Sequence, residues 1–85
     1  MSEQERSSLF IDRLEVKRRA LGMDHRRFAL HIGRSEGYWS LLRRRKKRVS
    51  LDFAQSVIGR WPEFSGYWAA DLAADSQDRA GAERG

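Results

Sequence analysis

Residues 22–42 read GMDHRRFALHIGRSEGYWSLL. Asp24 and Ser35 are residue types that begin helices by accepting a hydrogen bond from a backbone N–H, and each precedes about two helical turns of sequence. Gly33 lies between these turns, and glycine readily adopts the positive φ at which a chain reverses direction. The stretch therefore predicts two short helices joined by a tight turn, the geometry of a helix-turn-helix motif. The two helices are expected from His25 to about His31 and from Glu36 to about Arg44.

Three further helices are predicted around this pair. The chain has a single proline, Pro62, and few β-branched residues, so strands are poorly supported. The three segments run from Ser7 or Ser8 to Leu21, from Leu51 to Trp61 after a cap at Ser50, and over a shorter stretch that carries Phe64, Tyr67, Trp68 and Leu72. We therefore expect an all-α fold, a compact bundle of about five short helices.

Length and composition indicate one small domain. The 85 residues are 40% apolar and 34% charged, which is enough for one small core. We expect a flexible N-terminus at 1–6, the domain at 7–73, and a disordered C-terminal tail at 74–85, where bulky apolar residues are lacking. The absence of cysteine excludes disulfides and thiolate chemistry. An acidic, polar N-terminus and the lack of a long apolar run favour a cytoplasmic protein without membrane association.

The net charge of +5 is unevenly distributed. Residues 13–48 contain thirteen arginines and lysines and three acidic residues, so this stretch alone carries +10, and it ends in the run RRRKKR at 43–48. Such a run is tolerated mainly where a polyanion neutralises it. A solubilising face is the simpler explanation, but the run lies mid-chain, and cationic clusters recur upstream at 17–19 and 26–27. A membrane surface would require a bulky apolar face opposite the charge, so nucleic acid is the favoured partner.

The stretch from Gly22 to Ser35, followed by Tyr38, Trp39, Ser40 and Leu42, resembles the Cro/repressor-type (XRE-like) helix-turn-helix domain of phage and bacterial regulators. The stretch from Ser50 to Ala54 is similar to the fourth helix of that family, and the resemblance covers residues 10–72. It implies a lambda-repressor-like fold and binding of double-stranded DNA, with the third helix in the major groove.

Four positions depart from the family pattern. His25 stands where the family usually has glutamine, although histidine can still donate to a phosphate. Arg43 replaces an acid that the family pairs with an arginine matching Arg18, so Arg43 is expected to turn toward DNA. Arg45 replaces a common glycine, and Val49 replaces a common proline.

The resemblance also assigns candidate contacts. Base readout is expected from the outer face of the third helix: Ser35, Glu36, Gly37, Ser40, Leu41 and Arg44. Phosphate contacts are expected from the start of the second helix and from the basic run: His25, Arg26, Arg34, Arg43, Arg45, Lys46, Lys47 and Arg48. For Glu36, stabilisation of the helix N-terminus is an equally good explanation, and Gly37 is either a neutral surface glycine or a point of close approach.

The leading hypothesis is a sequence-specific regulator, repressor-like, that binds a pseudo-palindromic operator as a homodimer and is cytoplasmic and nucleoid-associated. Two copies are expected because one short recognition helix reads few base pairs. The dimer interface is predicted at Trp61, Phe64, Tyr67 and Trp68, with closure of the protomer core as the alternative. Alternative functions are a DNA-binding part of phage or mobile-element machinery (packaging or excision), an RNA-associated basic protein, and a protein-interaction module.

Other functions have little support in the sequence. The tryptophans and phenylalanines follow helical spacing, which favours core packing over stacking on single-stranded nucleic acid. His25 and His31 are six residues apart, unsuited to a shared metal on one helix face. Because there is no catalytic constellation, we expect no enzyme, no cofactor and no metal, and a chain of this length leaves little room for a small-molecule effector domain.

Overall fold

Short polar side chains begin four of the five helices. The computed structural model describes the backbone of residues 8–84 and the side chains of residues 8–74. Ser8, Asp24, Ser35 and Ser50 each accept a hydrogen bond from the backbone N–H three residues later, at 2.7–3.2 Å. Each cap satisfies an amide that would otherwise lack a partner at the helix start. The helices are α1 (Leu9–Ala20), α2 (His25–His31), α3 (Glu36–Arg43), α4 (Leu51–Arg60) and α5 (Phe64–Arg84).

All five helices contribute to one hydrophobic core, and the backbone between residues 8 and 84 contains no strand. Phe10 of α1 lies at its centre, with its ring centroid 5.3 Å from that of Phe64 and 6.3 Å from that of Phe53. Trp39 of α3 is fully buried against Phe28 of α2, at a centroid distance of 5.1 Å. The predicted all-α bundle is confirmed.

The fifth helix is longer than the sequence suggested. The prediction placed a short helix ending near Leu72 and a disordered tail at 74–85, whereas α5 continues to Arg84. Bulky apolar groups are lacking after Leu72, but residues 73–84 contain four alanines and no proline, and alanine is the best helix former. Helix propensity therefore favours the continuation of α5 beyond Leu72. The predicted flexible N-terminus at 1–6 lies outside the described residues.

The four aromatic residues predicted at a dimer interface pack within the protomer. Phe64 is 1% exposed and belongs to the core, which makes it unavailable to a partner. The ring of Trp61 stacks parallel to that of Phe28, Tyr67 packs edge-on against Phe64, and Trp68 contacts Phe10. Of the four, only Phe64 is buried; Trp61, Tyr67 and Trp68 pack against α1, α2 and α5 but are half-buried.

Candidate nucleic-acid interface

Gly33 makes the turn between α2 and α3. Its φ is +74°, a conformation that L-residues with a side chain rarely adopt. Two backbone hydrogen bonds close the turn, from Gly33 N–H to Leu30 C=O at 3.0 Å and from Arg34 N–H to Ala29 C=O at 2.9 Å. Ser35 then begins α3 immediately, so the two helices pack against each other as predicted from the spacing.

The two faces of α3 differ sharply. Trp39 and Leu42 are fully buried and fix the helix to the core. The opposite face carries the residues predicted to read bases, and all of these are exposed except Ser40, which is half-buried: Ser35, Glu36, Gly37, Leu41 and Arg44. The sequence-predicted set is therefore brought together on one accessible surface.

Several cations in α2 and at the end of α3 are exposed. Arg26, Arg44 and Lys46 form no ion pair with any residue that the structure describes. Lys47 is also exposed, and its ammonium lies 5.4 Å from the centroid of the Tyr38 ring. These side chains retain the capacity to neutralise an external anion.

Arg34 contacts neighbouring side chains of its own chain at the surface. Its guanidinium lies over the rings of Tyr38 and Phe53, at 5.5 and 5.3 Å from their centroids, and 3.4 Å from the carboxylate of Asp52. This predicted phosphate ligand thus links the α2–α3 turn to the first turn of α4. Its internal contacts give it a packing role that the sequence pattern did not suggest.

Arg45, a second predicted phosphate ligand, also makes contacts within the protein. It has φ +59°, and its guanidinium donates to the carbonyls of Leu42 and Arg43 and to the carboxylate of Asp12, the last at 2.8 Å. A glycine at this position would adopt positive φ without a steric penalty. Arg45 adopts this backbone conformation and directs its side chain back to α1, where its bonds to Asp12 and to two carbonyls help to end α3.

His25 is held by a buried indole. Trp39 Nε1–H donates to His25 Nδ1 at 3.1 Å, which leaves the proton of the neutral imidazole on Nε2. Burial, followed by the charges of Arg43 and Arg18, lowers the pKa of His25 from its ordinary 6.5, against opposing effects of Glu15 and Glu36. The side chain remains 36% exposed, so a neutral, partly accessible ring lies at the start of α2.

Glu15 of α1 is a contributor that sequence reasoning missed. One of its oxygens lies 3.6 Å from Arg18 Nε and 4.0 Å from His25 Nδ1. Its carboxylate thus lies between these two groups as an ion-pair partner, without a hydrogen bond to Arg18 Nε. Arg43 lies over the face of Trp39 at 5.9 Å and is half-buried. The spacing of three between Glu15 and Arg18 was a signal for this pair.

Other possible sites are weaker. A groove between α1 and α5 holds about 120 Å³, below the roughly 300 to 1,000 Å³ of small-molecule sites. His31 faces Arg60 rather than His25, and no group of three metal-ligating side chains occurs in the described region. No described helix combines the length and apolar character required to cross a membrane. Comparisons with protein families, curated proteins and solved structures found no match to the chain.

Proposed function

We propose that this protein is a sequence-specific double-stranded DNA-binding regulator of the Cro/repressor type. It inserts α3 in the major groove and acts as a repressor-like homodimer on a pseudo-palindromic operator. The observation that carries the proposal is the division of α3 into two faces. Trp39 and Leu42 anchor one face completely, and the other presents Glu36, Leu41 and Arg44 to solvent.

The chemistry of the outer face suits base edges. A carboxylate accepts from cytosine N4, a guanidinium donates to guanine O6 and N7, and an aliphatic side chain contacts a thymine methyl group. Glu36, Arg44 and Leu41 supply one of each. Ser35 and Ser40 add hydroxyl groups that can donate or accept.

The surrounding cations suit the DNA backbone. We assign phosphate contacts to the Nε2–H of His25, to Arg26, and to Lys46 and Lys47 of the basic run, together with Arg43 and Arg48. Arg34 and Arg45 are left out of this set because their guanidinium groups are engaged within the fold. Phosphate contacts of this kind fix register and supply affinity, whereas sequence is read at base edges.

The proposal of a dimer rests on the size of α3. Its eight residues present two turns to a groove. Two copies about 34–36 Å apart would square the affinity ratio by which one copy distinguishes a specific from a non-specific site. Because Phe64 is buried in the protomer core, we assign the interface between protomers to the half-buried remainder of the predicted set, Trp61, Tyr67 and Trp68.

Selection of bound duplexes from a random pool tests the function. We expect a two-fold symmetric consensus. A plot of the logarithm of the affinity for the selected duplex against the logarithm of the salt concentration should have a slope of about −0.9 per neutralised phosphate. Two results would overturn the proposal: equal affinity for all duplex sequences, or tighter binding to RNA of the same sequence. A selected consensus without symmetry would reject the homodimer while retaining sequence-specific binding.

A further inference from the structure

Gly37 lies where the fold does not require a glycine. It is exposed in the first turn of α3 with ordinary helical φ, and a methyl group added to it would meet only Ser35 Oγ, at 4.0 Å. Glycine in a helix reduces stability relative to alanine because it loses more backbone freedom on folding. Gly22 and Gly33, in contrast, have positive φ and are explained by their turns.

The position of Gly37 on α3 connects it to the outer face. Gly37, Ser40, Leu41 and Arg44 follow the helical spacing of three, four and seven residues, which places them in one stripe. Side-chain length increases along this stripe from its N-terminal to its C-terminal end. A partner lying along α3 can therefore come closest to the backbone at Gly37, while Arg44 can span a wider gap.

The negative charge of Glu36, next to Gly37, determines which part of a DNA duplex can approach this end of α3. Glu36 is exposed and forms no ion pair with the described residues, so its carboxylate repels a phosphate at this end of α3. A base edge presents no net charge and includes donor groups that a carboxylate accepts. The occupant favoured at Gly37 is a base edge rather than the sugar–phosphate backbone.

We infer that Gly37 is a specificity-determining residue, whose missing side chain allows a base-pair edge to reach van der Waals contact with its Cα. The inference rests on the proposed function and deepens it, because it assigns the closest point of approach on α3. It predicts that stability and binding respond in opposite directions when a methyl group is added.

The test compares Gly37→Ala with Gly66→Ala. Gly66 is a matched control because it is exposed, lies in the first turn of α5 and has open space around it. Both variants should raise Tm by about 2–8 °C. Only Gly37→Ala should weaken binding to the duplex most enriched by the wild-type protein, by about tenfold, with little change on a mixed-sequence duplex. Gly37→Ser, measured in parallel, should lose at least as much affinity.

The outcomes separate this inference from the function on which it rests. If the Gly37 variants bind the enriched duplex as tightly as Gly66→Ala does, the inference is wrong while the proposed function stands. A lowered Tm for Gly37→Ala would also overturn it, because the fold itself would then require the glycine. If the wild-type protein enriches no duplex, the proposed function fails first and takes the inference with it.

Discussion

Arg45 combines an unfavourable backbone conformation with favourable side-chain contacts. A left-handed conformation costs a residue other than glycine about 1–2 kcal/mol, and here the bonds to Asp12 and to two carbonyls at the end of α3 offset it. Arg45→Ala removes the contacts and keeps the strain, whereas Arg45→Gly removes both. We expect the alanine variant to have a free energy of unfolding about 1 kcal/mol below that of the glycine variant, measured by urea denaturation. Equal values would show that the strain is relieved elsewhere.

His25 makes the stability of the fold depend on pH. Because burial and Arg43 lower its pKa in the folded protein, the unfolded chain binds its proton more readily. The stabilisation by the neutral ring is therefore complete above the ordinary pKa of 6.5 and is lost as pH falls through the lower pKa of the folded state. The free energy of unfolding, measured by urea denaturation, should therefore decrease as the pH falls from 7.5 to 5. His25→Gln keeps an acceptor for Trp39 without titrating, so this variant should show a smaller decrease.

The matched control for this titration is the second histidine. His31 lies beside Arg60 and Trp61, away from the Trp39 indole. His31→Gln should show the same decrease in the free energy of unfolding between pH 7.5 and 5 as the wild-type protein. If the two variants show the same pH profile, the pH dependence does not originate at His25.

Between elements, α5 stabilises the start of α1. The carboxylate of Asp71 accepts from the backbone N–H groups of Leu9 and Phe10, at 2.9 and 3.1 Å. These amides lie at the positive end of the α1 dipole and have no partner within their own helix. Asp71→Ala should lower the free energy of unfolding by about 1–2 kcal/mol in urea denaturation. Asp52→Ala is the control, because that carboxylate is 94% exposed and its ion pair with Arg34 should contribute less than about 1 kcal/mol.

The elements show which features were predictable. Helix starts were predicted correctly at Asp24, Ser35 and Ser50, since a cap is a local interaction between residues three apart. The outer face of α3 was also predictable, because helical spacing separates it from Trp39 and Leu42.

Contacts across many residues were not predictable in this way. Asp71 reaches α1 across 62 residues, and Arg45 reaches Asp12 across 33. Neither pair leaves a periodic signal in the sequence. As a result, a basic residue that ends α3 was grouped with the phosphate ligands, and the acid that caps α1 was not identified.

Across the whole molecule, the folded structure divides the cations of residues 13–48 into two groups. Arg18, Arg34 and Arg45 contact acidic side chains or carbonyls within the protein. Arg26 in the first turn of α2 and Arg44 and Lys46 at the end of α3 are exposed. Net charge alone therefore overstates the number of phosphates that the protein can neutralise. The salt dependence of binding measures this number directly, since each released counterion contributes to the slope.

Two exposed cations should separate readout of sequence from affinity for the backbone. Arg44→Ala should cost about 1–3 kcal/mol on the enriched duplex and relax the preference at one base position. Lys46→Ala should weaken binding to all duplexes alike and reduce the log–log salt slope by about 1. Arg60→Ala on α4, whose guanidinium contacts His31 and Trp61, is the control and should change neither quantity. If Arg44→Ala weakens all sequences equally, Arg44 is a phosphate ligand, and base recognition is left to the other residues on the outer face of α3.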